Sequence, residues 1–214
     1  MASDDYLERG YRLVPGLLAP EICKAFMAEL QAALDRPQQP ITRFRRSSNL
    51  LNGDSVEVYG YEYPPMISFL WGLTPAMRDL AGCELLPTYS YFRLYREGDI
   101  CRVHSDRYAC EHSLSLTLDY SDGVPWPLEV GSERVEPSAK VEADFGEELY
   151  ASLEMRPGDA VLYQGVHHRH GRVAPNPNGW SAHLFLHWVD RNGPYREHAF
   201  DGSGPPARAV NFAL

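Results

Sequence analysis

Two short segments of this sequence carry residue types whose spacing could do chemistry. The first is Arg102-Val103-His104-Ser105-Asp106. On an extended strand, residues i and i+2 point to the same side, so His104 and Asp106 can meet one ion. A neutral imidazole and a carboxylate, joined by one distant histidine, make a two-histidine, one-carboxylate set. That set leaves positions open on non-haem Fe(II) for substrate and oxygen. Taken alone, an HxD pair is equally a surface histidine beside an acid.

The missing histidine has three candidates, His167, His168 and His170, in GDAVLYQGVHHRHGRV. A strand opening at Gly158-Asp159 runs into a turn at Gly165, and the histidines follow where a neighbouring strand would begin. Three histidines in a polar turn is the plain alternative. A downstream histidine on a strand of the same barrel is nevertheless what the HxD pair lacks.

The order of HxD, then GDxxxYxG with a trailing histidine, then a strand carrying Trp188, resembles the Fe(II)/2-oxoglutarate-dependent dioxygenases, prolyl-hydroxylase-like branch. The resemblance covers roughly residues 88–190. It implies a double-stranded β-helix (jelly-roll) core in an α+β chain, with Fe(II), 2-oxoglutarate and O2 as cofactors and cosubstrates. Carried over residue by residue, it makes His104, Asp106 and His170 the metal ligands. His170 is preferred because Gly171-Arg172-Val173 follows it, where the family continues its strand; His167 and His168 are read as turn histidines. The implied activity is hydroxylation of an amino-acid, peptidyl or small-molecule C–H bond.

The sequence departs from this family at one position. About ten residues after the distal histidine the family places a cation for the far carboxylate of 2-oxoglutarate, and here that position is Ser181. A guanidinium matches a carboxylate best, and Lys24 and Lys140 are the chain's only lysines, so the anchor should be an arginine. Arg93 is the first candidate, since period-2 alternation puts Tyr91, Arg93 and Tyr95 on one face. An unpaired Arg93 inside the barrel would be costly, and a dianionic cosubstrate would offset that cost. Tyr95 falls where relatives offer a phenol. Arg172, sharing strand parity with His170, is the second candidate. His183 faces the same way as Ser181 and can donate a hydrogen bond. Ser113, Ser115 and Thr117 form the small polar face of SLSLTL, which either lines a ligand chamber or faces water. Arg102 and Arg107 flank the metal segment and are read as rim residues, and Trp126 and Trp188 as packing near the pocket.

These residues need a scaffold. Pro20–Asp35 reads as an amphipathic helix with Ile22, Phe26, Leu30, Ala33 and Leu34 on its inner face. Residues 65–80 read as a second helix interrupted near Gly72 and Pro75. Tyr89–Arg96, Ser113–Leu118, Asp159–Gln164 and His183–Val189 read as strands, and the acidic stretch 125–153 as holding a hairpin. The expected organisation is one domain over 1–214: mainly helical support over 1–87, a jelly-roll core over 88–190 and a C-terminal extension over 191–214.

With 214 residues, 44% hydrophobic and 23% charged, the chain can bury a full core. Its Lys+Arg of 20 against Asp+Glu of 29 gives a net charge of −9, which argues against nucleic acid or an anionic membrane as partner. Four scattered cysteines without a CxxC, no apolar leader and no apolar span of about 18 residues point to a cytoplasmic protein with free thiols. Arg36, Arg43, Arg45 and Arg46 make a local basic stretch, read as a solvated loop rather than a lid. No oligomeric state is encoded legibly. Two other classes fit the same ligands: a cupin-like jelly-roll metal-binding protein without oxygenase activity, and a zinc hydrolase, which also keeps an open metal position.

Overall fold

The computed structural model describes residues 4–137 and 140–203. Three helices, α1 (Asp4–Arg9), α2 (Pro20–Leu34) and α3 (Pro65–Ala81), pack on a sandwich of eleven strands. The strands are β1 (Tyr11–Val14), β2 (Arg45–Arg46), β3 (Ser55–Tyr59), β4 (Leu85–Arg96), β5 (Cys101–His104) and β6 (His112–Tyr120), followed by β7 (Leu128–Arg134), β8 (Tyr150–Leu153), β9 (Ala160–Tyr163), β10 (His168–Arg172) and β11 (Trp180–Asp190). They form a seven-stranded sheet, β1-β9-β6-β11-β4-β3-β2, and a four-stranded sheet, β5-β10-β7-β8. The ladders are antiparallel throughout. Two antiparallel sheets facing each other make the expected jelly roll. The N-terminal part adds strands as well as helices, because β1, β2 and β3 all join the larger sheet.

The alternation in β6 decides which way the sheet faces. Leu114, Leu116 and Leu118 are buried with Leu184, Leu186 and Trp188 against Leu30, Leu34, Met66, Leu70 and Met77. Each such leucine contributes about 1.5–3 kcal/mol on burial. The leucines therefore face the helices, and Ser113, Ser115 and Thr117, all fully buried, face the inside of the barrel. Trp188 belongs to this helix-facing layer, its indole N–H donating to Thr74, so it lies away from the pocket.

Two helix expectations need correction. In α2 Leu30 and Leu34 are buried and Phe26 and Ala33 pack against the same core, as expected, but Cys23 takes the inner position and Ile22 is exposed. α3 runs unbroken through Gly72 and Pro75 to a left-handed cap at Gly82. Pro75 removes one backbone donor, but Met66, Leu70, Met77 and Ala81 clamp the helix to the sheet on both sides of it. The hairpin expected within 125–153 is β7 paired with β8, Leu128 opposite Leu153 and Gly131 opposite Tyr150.

Candidate metal centre

β5 and β10 lie side by side, with His104 directly opposite His170, and this pairing brings two imidazoles 66 positions apart in the chain to a ring separation of 4.4 Å. Nδ1 of His104 lies 2.8 Å from the Arg102 carbonyl, and Nδ1 of His170 lies 3.0 Å from the His168 carbonyl. A carbonyl can only accept, so each Nδ1 carries the proton and each Nε2 presents a lone pair. Both Nε2 atoms face Oδ1 of Asp106, at 3.6 and 3.5 Å. Asp106 stands just beyond the end of β5, its N–H donating to the Gly165 carbonyl at 2.8 Å.

These three atoms are too far apart for ordinary hydrogen bonds, all lie within 4.8 Å of one another, and all are acceptors. Such a donor set, with each imidazole's far nitrogen anchored, fits a divalent cation. Desolvation, then the neighbouring His170, hold His104 below its usual pKa. Burial acts to raise the Asp106 carboxyl, but His170 and His104 outweigh it and hold it well below the carboxylate range. The other two histidines of the cluster stay out. His168 is held elsewhere, Nδ1 to the Gly131 carbonyl at 3.0 Å, and its ring fills the space where a Cβ on Gly10 would stand. His167 contacts Tyr195 and the Val135 carbonyl.

Next to the metal ligands lies a buried polar chamber. Arg172 is 1% exposed and its guanidinium stacks 5.2 Å from the Trp126 ring centre. One NH2 donates to Ser115 at 3.3 Å and to Nδ1 of His183 at 3.4 Å, while Nε has no partner among the described residues. His183 also meets Thr117 at 3.3 Å. Burial, then repulsion from Arg172 and Arg93, push its pKa well down, so the ring is neutral. Because Nδ1 accepts from Arg172, the proton sits on Nε2, and that buried N–H is also without a partner among the described residues. An unpaired guanidinium N–H and an unpaired imidazole N–H, beside two hydroxyls, fit a small carboxylate. Ser181 stands outside this chamber, donating to Asn176 at 2.7 Å.

Arg93 does face inward beside Tyr91 and Tyr95, as the alternation in β4 requires. Its expected lack of a partner is corrected by the structure: Nε and NH2 both lie 2.9 Å from Oε1 of Glu57 on β3, and NH1 donates to the Tyr95 hydroxyl at 2.9 Å. Glu57 neutralises the charge that a cosubstrate was expected to neutralise. Burial pushes the Tyr95 phenol up to about 12, so it stays protonated. The signal for Glu57 was the alternation in Ser55-Val56-Glu57-Val58-Tyr59, a strand that short polar surroundings concealed.

Arg93 lines both the ligand cleft and an outer cavity of about 420 Å³, and Glu57 lines the outer cavity. Tyr59, Tyr89, Tyr91, Arg46, Arg107, His104 and Asp106 line that cavity. Arg46, on the edge strand β2, is ion-paired to Glu62 at 2.6 Å, so part of the basic stretch is a structured rim. Arg107 stacks on Tyr89 at 4.2 Å, whereas Arg102 donates to the Asn49 carbonyl. Two further residues escaped the sequence reading. Tyr163 packs 4.6 Å from the His170 ring, and His187 stacks 4.6 Å from Tyr89. Both lie on inward positions of strands whose alternation is visible in the sequence.

No protein-family model matches the chain, and no curated protein matches it. Solved structures do. SnoK, a non-haem α-ketoglutarate-dependent carbocyclase from nogalamycin biosynthesis, aligns with a TM-score of 0.66 at 14% identity, over 86% of this chain and 81% of its own. A Pseudomonas putida prolyl-4-hydroxylase aligns at 0.59 and 16%, over 89% and 97%. HygX from Streptomyces hygroscopicus, solved with nickel and 2-oxoglutarate, aligns at 0.62 and 12%, over 87% and 85%; it has also been solved with hygromycin B bound. At such identities the likeness establishes architecture: this chain has the jelly-roll fold of the non-haem iron, 2-oxoglutarate-dependent oxygenases.

Proposed function

We propose that the chain is a non-haem Fe(II) oxygenase that couples oxidative decarboxylation of 2-oxoglutarate to oxidation of a C–H bond in a small molecule. The observation that carries this reading is the convergence of two Nε2 lone pairs and one carboxylate oxygen, with both Nδ1 atoms tied to backbone carbonyls. His104, Asp106 and His170 would hold the iron. Iron with 2-oxoglutarate and O2 supplies the oxidation of an unactivated C–H bond, leaving succinate and CO2.

The chain's own residues supply the rest. Arg172 binds the far carboxylate of 2-oxoglutarate through a charge-assisted hydrogen bond, with Ser115, Thr117 and His183 completing its donors. Tyr95 closes that end of the chamber. Tyr59, Tyr89 and Tyr91 exclude water and orient the prime substrate at the mouth. Hydroxylation is the outcome we favour. The neighbours include a carbocyclase as well as a hydroxylase, so the substrate's pose selects the product. HygX, with hygromycin B bound, supports a small-molecule substrate over a peptidyl one. The four cysteines are free, and no described helix is long and apolar enough to cross a membrane.

Anaerobic titration with Fe(II) and 2-oxoglutarate tests the reading. A weak visible charge-transfer band, followed by succinate release on admitting air, is expected. Iron binding without that band would identify a metal-binding protein instead, and zinc-dependent hydrolysis without oxygen would identify a hydrolase.

A further inference from the structure

The carboxylate of Asp106 has two oxygens, and the structure treats them differently. Oδ1 faces both imidazoles. Oδ2 lies on the opposite side, 3.3 Å from the hydroxyl of Ser113 on β6. That hydroxyl is also 3.1 Å from the Cys110 carbonyl and 2.9 Å from Nδ1 of His187 on β11. The contact needs Gly165: a Cβ there would stand 2.3 Å from Oδ2 and 2.8 Å from the Ser113 hydroxyl.

Ser113 has one proton to give. If His187 carried its own proton on Nε2, Nδ1 would take the hydroxyl proton and Oδ2 would lose its donor. The Nε2–H would then also be buried without a partner, since Nε2 has none among the described residues. With the proton on Nδ1, His187 donates to the Ser113 oxygen and frees the hydroxyl proton. Between the Cys110 carbonyl and a carboxylate oxygen, the charged acceptor gives the stronger bond. Only a bare lone pair on Nε2 is then left unpaired.

We infer that Ser113 and His187 are positioning residues: a hydrogen-bond chain from His187 Nδ1 through Ser113 to Asp106 Oδ2 keeps the carboxylate a one-oxygen ligand. The inference rests on the metal reading above. It deepens that reading, because a carboxylate released from Ser113 can turn both oxygens to the ion and occupy a position that the cosubstrate or oxygen needs. Ser113 comes from the larger sheet and both histidine ligands from the smaller one, so the chain also fixes the centre across the barrel.

The test is anaerobic Fe(II) titration of the full chain, with thermal melts of each metal-free variant as the control for folding. Loss of an outer partner of a ligand typically weakens metal binding 10–100-fold. Ser113→Ala is expected to show that loss while melting close to the wild type. His187→Phe should weaken binding too, whereas His187→Asn, which keeps an N–H near the Nδ1 position, should retain most of the affinity. Wild-type affinity in a folded Ser113→Ala, or equal loss in His187→Asn and His187→Phe, would overturn the chain. A wild-type protein that binds no Fe(II) would instead overturn the metal reading itself, and this inference with it.

Discussion

Arg93 and Glu57 sit opposite each other in the β3–β4 ladder, and two guanidinium nitrogens close on one carboxylate oxygen at 2.9 Å. Both side chains are buried. Removing either partner leaves an uncompensated charge in the barrel wall, which costs about 3–5 kcal/mol. Arg93→Ala and Glu57→Ala should each lower the urea midpoint by an amount of that order. The double variant Arg93→Met/Glu57→Leu should recover most of it. Equal losses that simply add would show the pair to be uncoupled.

Arg172 is expected to behave in the opposite way. It has no carboxylate at ion-pair distance among the described residues, so Arg172→Ala should cost little stability in the absence of ligand. It should raise the 2-oxoglutarate requirement at least about tenfold, the loss of a charged hydrogen bond being worth about 1.5–3 kcal/mol. Iron affinity should be unchanged. Measuring both variants side by side decides between Arg172 and Arg93 as the anchor: a larger cosubstrate effect in a folded Arg93→Ala would reverse the assignment.

His104→Ala, Asp106→Ala and His170→Ala should each abolish Fe(II) binding, read by anaerobic titration, with far-UV circular dichroism unchanged. His168→Ala should keep the metal and lose stability instead, since its ring fills the space over Gly10.

Acid should destabilise the fold before it titrates ordinary carboxylates. Burial pushes His112 and His187 down to about 4, while in the unfolded chain a histidine titrates near 6.5. Between those values the unfolded state binds more protons, so stability falls as pH drops from about 6.5 to about 4. Urea midpoints at pH 7, 5.5 and 4.5 should decline steadily. His112→Gln, at a ring hydrogen-bonded to Tyr6 at 2.6 Å and away from the metal centre, should flatten the decline. An unchanged slope would show that this ring does not contribute.

Much of the site was legible because it obeys local rules. The spacing of His104 and Asp106 and the turn before His170 each state a direction for a side chain, whereas the alternation in SLSLTL marks two faces and leaves open which one the helices cover. What was not legible depended on register between distant strands. Glu57 and Arg93 are 36 positions apart, and nothing local says that β3 pairs β4 so as to oppose them. Without Glu57 in view, Arg93 looked like the unpaired cation, and Arg172 looked the lesser one. The continuity of α3 was hidden for the same reason: Pro75 is a local breaker, and the sheet that overrides it is assembled from residues far along the chain.

The pairing of His104 with His170 has a consequence for motion. β5 is only four residues long, lies at the end of its sheet, and shifts register after its first pair with β10. An ion held by both imidazoles would be a cross-link between that short strand and its one neighbour in the sheet. Loading the site should therefore slow amide hydrogen exchange in β5 more than in the long central strands β4 and β11, so that an ion bound there would also rivet a short outer strand of the barrel.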